Sequence, residues 1–209
     1  MGTNTRRITL TLGRRQALLA AVLTGAAILL FRTWLEADMA RHMLIEFPLL
    51  LVVGLGTAKA LPERAVALIM RANQLGLAGF TFVSLTAAYW MIPVALDQAL
   101  LSGPAAAAKY ASFLTAGMLL PVSFPAAPLA MQAFFVGNWV WMTATVGLLY
   151  QNTPQQLCVN YLIGTQLSAG EGLVAAAVAI AALWCVYAVP AYLDMTQCCR
   201  LHGNQREDL

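Results

Sequence analysis

The sequence predicts an all-α, polytopic transmembrane helix bundle of about six spans. Of its 209 residues, 60% are hydrophobic and only 10% are charged, and the mean hydropathy is +0.72. Soluble domains carry a charge on about a quarter of their residues, so this composition is typical of a protein whose solvent is the lipid bilayer. Long apolar runs give the span count, because a helix needs about 20 residues to cross about 30 Å of hydrocarbon.

The predicted elements can be placed in order along the chain. Residues 1–15 form a basic cytoplasmic amino terminus, and the first apolar run follows it as a signal anchor would. A transmembrane domain at residues 16–195 precedes a cytoplasmic tail at residues 196–209. Its spans are about 16–34, 39–58, 73–96, 109–123, 126–150 and 171–195. The fourth is short, and the prolines after it allow a tilted or broken pair with the fifth.

The positions of the basic residues predict that both termini are cytoplasmic. In this orientation nine of the twelve basic residues face the cytoplasm, and the other three, Arg32, Arg41 and Lys109, face outward. Cytoplasmic loops of membrane proteins carry such an excess of Lys and Arg. We therefore expect a multi-pass protein of the bacterial cytoplasmic (inner) membrane. Its expected partners are the lipid bilayer and a membrane protein complex, and its mild net charge of +3 does not indicate nucleic acid.

A stripe of potential metal ligands opens the second span. Met39, His42, Met43 and Glu46 are three or four residues apart, which places them on one helix face. Thioethers and an imidazole favour Cu(I) over hard cations, and Glu46 could be a further ligand or could fix the tautomer of His42. Met91, at the outer end of the third span, could complete the site. Plain packing is the alternative, because methionine commonly fills apolar helices.

No feature of the sequence predicts an enzyme. It has two histidines, His42 and His202, on opposite predicted sides, and no nucleophile with a base or phosphate-binding loop. The adjacent thiols of Cys198 and Cys199 favour ordinary juxtamembrane cysteines over a metal or lipidation site. Residues 149–170 form a long outer loop with apolar residues of its own, for which we predict a surface helix or a partner contact.

Four short sequence blocks, taken in their order along the chain, carry a resemblance to a known family. They are residues 42–46 (HMLIE) with Pro48, residues 90–93 (WMIP) with Asp97, residues 112–117 (SFLTAG) and residues 166–170 (QLSAG). In sequence and in order they resemble motifs of the CtaG family, membrane proteins implicated in copper delivery to cytochrome c oxidase. The resemblance implies a helical membrane bundle that handles copper during assembly of a respiratory cytochrome oxidase, with a haem-copper oxidase as the partner.

The chain departs from the family pattern at the metal-binding positions. Where the family has further histidines, this chain has Glu46, Met91 and either Lys109 or Tyr110, and only His42 is retained. Two hypotheses follow. The first is a copper-handling factor that binds Cu(I) at the periplasm-facing His/Met stripe. The second is a non-catalytic accessory subunit of a larger respiratory or other metalloprotein complex, which has lost the metal site.

Overall fold

The structure is a computed structural model that describes the backbone of residues 13–207 and the side chains of residues 13–190, 192 and 193. Regular structure in this part of the chain is entirely helical, as predicted. The helices are α1 (Arg14–Leu30), α2 (Arg32–Glu36), α3 (Met39–Arg41), α4 (Phe47–Ala58), α5 (Glu63–Ala72), α6 (Leu77–Trp90), α7 (Pro93–Leu101), α8 (Gly103–Ala126), α9 (Leu129–Asn152) and α10 (Ile163–Glu207). A π-helical turn, His42–Glu46, joins α3 to α4, and a 3-10 turn, Gln74–Gly76, joins α5 to α6.

Several helices are suited to a bilayer, which confirms the multi-pass class. Four helical stretches are long and apolar enough to cross a membrane, and a fifth is obtained if the bent pair of α5 and α6 is taken as one span. The four are Met39–Ala58, Gly103–Ala126, Leu129–Asn152 and Ile163–Pro190. The sequence predicted six spans, so the structure supports four or five of them by length and composition.

The differences from the predicted spans have local causes. Helix α1 has 17 residues and a rise of about 25 Å, which is less than the hydrocarbon thickness. The predicted third span is divided, because α6 ends at Trp90 and Pro93 opens α7. The predicted short fourth span is instead the 24-residue α8, which keeps Pro121 and Pro125 inside its last turns. The last helix begins at Ile163 and continues to Glu207, through most of the predicted tail.

The helices close around a central apolar cavity of about 230 Å³. Helix α8 packs against α4 and α6, α1 covers α4, and α9 packs along α10 and also contacts α6. Helix α10 closes the ring by packing against α3 and the π-helical turn. We call the end of the bundle that bears α2, α3 and α7 the outer end, after its predicted orientation.

Two glycines set the crossing of α4 and α8. A Cβ atom at Gly54 would overlap the carbonyl oxygen of Leu114 and lie 2.7 Å from Gly117 Cα. A Cβ atom at Gly117 would overlap the carbonyl oxygen of Leu51. Helix association in lipid depends on close van der Waals packing, since the lipid tails are as apolar as the side chains. The crossing therefore requires the missing side chains.

We expect Gly117→Ala to lower the free energy of unfolding by about 1–3 kcal/mol, because overpacking at a tight contact displaces the two backbones. Thermal unfolding of the purified protein in detergent measures this loss. Gly137→Ala, in α9, is the matched control, since a Cβ atom there meets nothing within 4 Å. Equal stabilities of the two variants would contradict the proposed role of the crossing.

Candidate functional site

The candidate site begins at the π-helical turn His42–Glu46. The side chain of Asp38 caps the preceding α3 by accepting a hydrogen bond from Arg41 N at 3.1 Å. Pro48 follows the turn and lacks the N–H that an α-helix would direct at the residue 44 carbonyl, so a local departure from α geometry is expected here. The turn leaves His42 and Glu46 side by side and fully buried, with Nε2 and Oε2 3.5 Å apart.

The ammonium group of Lys109 occupies the centre of the site. This side chain comes from α8 and is fully buried. Its Nζ atom lies 2.8 Å from Glu36 Oε1, 2.8 Å from Glu46 Oε1 and 2.9 Å from His42 Nε2. An ammonium has three N–H donors. Here it makes hydrogen-bond contacts with Glu36 and His42 and an ion pair with Glu46, whose two oxygens have no hydrogen-bond partner among the described residues. We call these four residues the Lys109 cluster.

The lysine also determines the tautomer of the histidine. Because an ammonium can only donate, His42 Nε2 must be the unprotonated nitrogen, and Nδ1 carries the hydrogen. The Nδ1 atom lies 2.5 Å from Tyr161 Oη, so the imidazole donates to the tyrosine hydroxyl. Tyr161 belongs to the connection between α9 and α10, and burial raises the pKa of its phenol. The imidazole therefore links Lys109 to the outer connection as a neutral group.

Arg32 joins the Lys109 cluster at its partly exposed edge. Its Nε atom donates to Glu36 Oε2 at 2.9 Å, and this hydrogen bond raises the pKa of the guanidinium. The Arg32 side chain is 39% exposed, whereas that of Glu36 is 10% exposed. With two cations, two carboxylates and a neutral imidazole, the formal charges cancel. Charged groups are costly in hydrocarbon, and this mutual pairing is how membrane proteins retain them.

The acidic and imidazole groups of the Lys109 cluster could hold a metal ion. One ligand atom each from Glu36, His42 and Glu46 lies within 4.8 Å of the others. Two carboxylates with an imidazole suit divalent ions such as zinc or manganese better than Cu(I). The Lys109 ammonium, however, is already within 2.9 Å of an atom of each. A metal with ligand distances near 2.0–2.2 Å would have to displace it.

The predicted ligand stripe is divided by the fold. His42 and Glu46 meet in the Lys109 cluster, whereas Met43 and Met91 line the central apolar cavity, whose lining contains none of the four cluster residues. Met39 is fully buried in the apolar core. The hard and soft ligands of the predicted Cu(I) set therefore occupy different surroundings.

Sequence reasoning assigns no role in the site to three of the groups that complete it. It places Lys109 at the outer start of the fourth span, and by the family resemblance at a position where the family has a histidine, but it does not use the signal of function that an isolated cation in an apolar run carries. Glu36 lies four residues after Arg32, which is the spacing of a helical ion pair. Tyr161 gave no signal, since aromatic residues near span ends are common anchors. The side chains of Cys198, Cys199 and His202 lie outside the described residues.

The connection between α9 and α10 covers the outer end of the site. Residues 153–162 contain no helix, in contrast to the predicted surface helix, and are held by hydrogen bonds. Asp97 accepts from Val159 N at 2.8 Å and from Asn160 N at 3.2 Å, and Gln166 Oε1 accepts from Leu157 N at 2.9 Å. These bonds hold the segment that delivers Tyr161. We call residues 153–162 the outer cap.

Breaking the ion pairs should destabilise the protein. We expect Lys109→Met to lower the free energy of unfolding by about 3–5 kcal/mol, because the buried Glu46 and the partly buried Glu36 lose their common partner. Lys109→Met combined with Glu46→Leu should recover part of the loss, since an apolar pair replaces a buried ion pair at little cost. Unfolding in a detergent series measures both. A Lys109→Met protein as stable as the wild type would contradict the ion-pair geometry.

The outer cap can be monitored through Cys158, which is buried within it. Burial, and to a smaller extent the charge of Asp97, raises the pKa of the thiol to about 12. At pH 8 only about one thiol in ten thousand is then ionised, so maleimide labelling should be slow. With the other three cysteines replaced by serine, Asp97→Ala should accelerate labelling at least about tenfold, because exposure restores an ordinary thiol. Gln98→Ala, an exposed neighbour on α7, should leave the rate unchanged.

The comparisons with known proteins found no relative of this chain. No family model, curated protein or solved structure matches this chain. The resemblance to the CtaG family therefore remains a prediction from four short blocks, and the function must be argued from the site.

Proposed function

We propose that this protein is a non-catalytic accessory subunit of a larger membrane complex, in which the Lys109 ammonium takes the place of a metal ion. The partner class comes from the CtaG-like blocks, which point to a respiratory or other metalloprotein complex in the bacterial cytoplasmic membrane. The observation that carries the proposal is the contact of Lys109 Nζ with all three potential metal ligands, at 2.8, 2.8 and 2.9 Å.

Charge supports an internal cation. A lysine tethered to α8 neutralises Glu36 and Glu46 without any ion from outside, and with Arg32 the formal charge of the site is zero. A metal that entered beside the lysine would add uncompensated positive charge at a buried position, where such charge is costly. The Lys109 cluster therefore acts as a clamp that joins α2, the π-helical turn and α8 at the outer end.

The surface that remains accessible supports the accessory role. The spanning helices present large apolar side chains outward, among them Trp141, Leu183 and Val186, which are 71–76% exposed. Such faces suit lipid or the helices of a larger membrane complex. The site residues, by contrast, lie inside the bundle, where they serve the packing of this chain rather than contact with a partner.

Copper handling, implied by the CtaG-like blocks, is the second candidate. The grouping of Glu36, His42 and Glu46 within 4.8 Å supports metal binding as such, although two carboxylates suit a divalent ion better than Cu(I). In this case the lysine would hold the site while it is empty and withdraw when the metal is bound. Cu(I) would be the cargo of the protein, and a haem-copper oxidase would receive it. Met43 and Met91 line the central cavity, and none of the residues of this grouping does, so the methionines are not assigned as its ligands.

Metal content separates the two candidates. Purified protein is equilibrated with Cu(I) or Zn²⁺ under reducing conditions, desalted and analysed by mass spectrometry of the metals. We expect wild-type protein to retain well below one equivalent, because the ammonium occupies the ligands. Lys109→Ala should retain about one equivalent of Zn²⁺, since three ligands are then free for a divalent ion.

The double variant Lys109→Ala with His42→Ala is the matched control, and it should lose the gained metal. If wild-type protein instead retains about one equivalent of Cu(I), and His42→Ala loses it, the accessory proposal is wrong and copper handling stands. This comparison needs only wild-type protein and His42→Ala, so it remains decisive even if Lys109→Ala does not fold.

A further inference from the structure

Helix α5 has the character of a helix that lies on a membrane surface. It reads ERAVALIMRA, and at about 100° per residue its three charged residues, Glu63, Arg64 and Arg71, share one side. The remaining positions are apolar. A helix that is strongly charged on one face and apolar on the other is suited to the boundary between lipid headgroups and acyl chains.

The apolar side of α5 is only partly covered by the bundle. Val66 and Ile69, opposite the charged residues, are half-buried, whereas Leu68 and Met70, at the two edges of the charged side, stay exposed. The helix packs against α8, yet none of its residues is buried. Leu68 is 68% exposed and Met70 is 56% exposed. In water such side chains would be an unfavourable surface, whereas beside a bilayer they can enter the acyl region.

A rigid bend in the backbone sets α5 at a large angle to α6. The two helices meet at a bend of 71°, where Leu75 and Gly76 have φ values of 54° and 72°. Asn73 secures the bend, because its Nδ2 donates to Ser123 Oγ at 2.8 Å and its Oδ1 accepts from Gly79 N at 2.9 Å. Because α6 packs against α8, which is long and apolar enough to cross a membrane, this bend turns α5 away from the direction of the bundle.

The charges at the two ends of the bundle differ in their partners. At the outer end Arg32 and Lys109 bind Glu36, and Arg41 lies 4.4 Å from the centre of the Trp34 ring. At the α5 end, Arg64 and Arg71 are exposed, and exposed Arg14 beside them donates to Ala60 O at 2.9 Å. The α5 end therefore presents a basic surface, with guanidinium groups of the kind that bind phosphate oxygens.

We propose that α5 is an interfacial helix that binds anionic phospholipids. Arg64 and Arg71 contact the headgroup phosphates, and Leu68 and Met70 enter the acyl region beside them. Guanidinium groups and flanking apolar side chains together fit a headgroup with its chains, rather than a soluble phosphate. This lipid site is separate from the Lys109 cluster. Lipid binding by α5 therefore does not depend on which of the two proposed functions is correct.

The test is a lipid titration of the full chain followed by native mass spectrometry. Purified protein in detergent is titrated with phosphatidylglycerol or with phosphatidylcholine, and the bound lipids are counted. Wild-type protein should bind phosphatidylglycerol more tightly. Arg64→Gln combined with Arg71→Gln should weaken this binding about 25-fold, at about fivefold for each arginine near an anionic surface.

Two controls make the result specific. Arg41→Gln removes one positive charge at the outer end and should leave phosphatidylglycerol binding unchanged. Leu68→Ser combined with Met70→Ser should weaken binding of both lipids. Glycerol phosphate, which has no acyl chains, should not displace the lipid bound to the wild-type protein. Equal binding of the two lipids by wild type, or retention of phosphatidylglycerol affinity in the double arginine variant, would overturn the proposal. Unchanged thermal unfolding of the variants in phosphatidylcholine shows that they remain folded.

Discussion

The pairing of one buried ammonium group constrains the whole outer end of the bundle. Lys109 is fully buried in a helix suited to cross a membrane, and each of its N–H donors needs an acceptor because lipid and apolar side chains offer none. Its acceptors come from α2 and the π-helical turn, and His42 extends the contact to Tyr161 in the outer cap. Four segments of the chain are thus held by one charge.

The rest of the bundle provides the geometry that this pairing needs. The close crossing of α4 and α8 at Gly54 and Gly117 brings the backbone that bears Lys109 near the one that bears Glu46. Asp97 holds the outer cap over the same region and thereby positions Tyr161. Packing of small residues and pairing of polar groups are complementary here. In lipid no hydrophobic effect drives the helices together, and no water solvates the charged groups.

The row of potential ligands in the sequence is divided between two surroundings in the structure. His42 and Glu46 meet the lysine, whereas Met43 faces the apolar cavity with Met91. A cation supplied by the protein forms ion pairs with the two carboxylates, and soft thioethers fill apolar volume, as methionine commonly does.

Much of the fold followed from composition and pattern. The apolar content predicted an all-helical membrane protein, the second span agrees in its bounds with Met39–Ala58, and the i, i+4 spacing predicted that His42 and Glu46 would be neighbours. These properties are local, because the helical repeat relates residues within one helix. The boundaries at α1, α6 and α8 depended on hinges and prolines, whose effect varies with the surrounding packing.

The composition of the site and the course of α5 arose from contacts between distant segments. Glu36 and Lys109 are 73 residues apart, and His42 and Tyr161 are 119 apart. No helical period relates such residues, since the facing of two helices depends on where they cross. The bend before α6 likewise involves a left-handed φ at Leu75, a residue whose type gives no sign of it, and the bend is held by an Asn73–Ser123 contact across 50 residues. Local pattern therefore set the membrane class and the helix faces, whereas helix crossing selected which faces met.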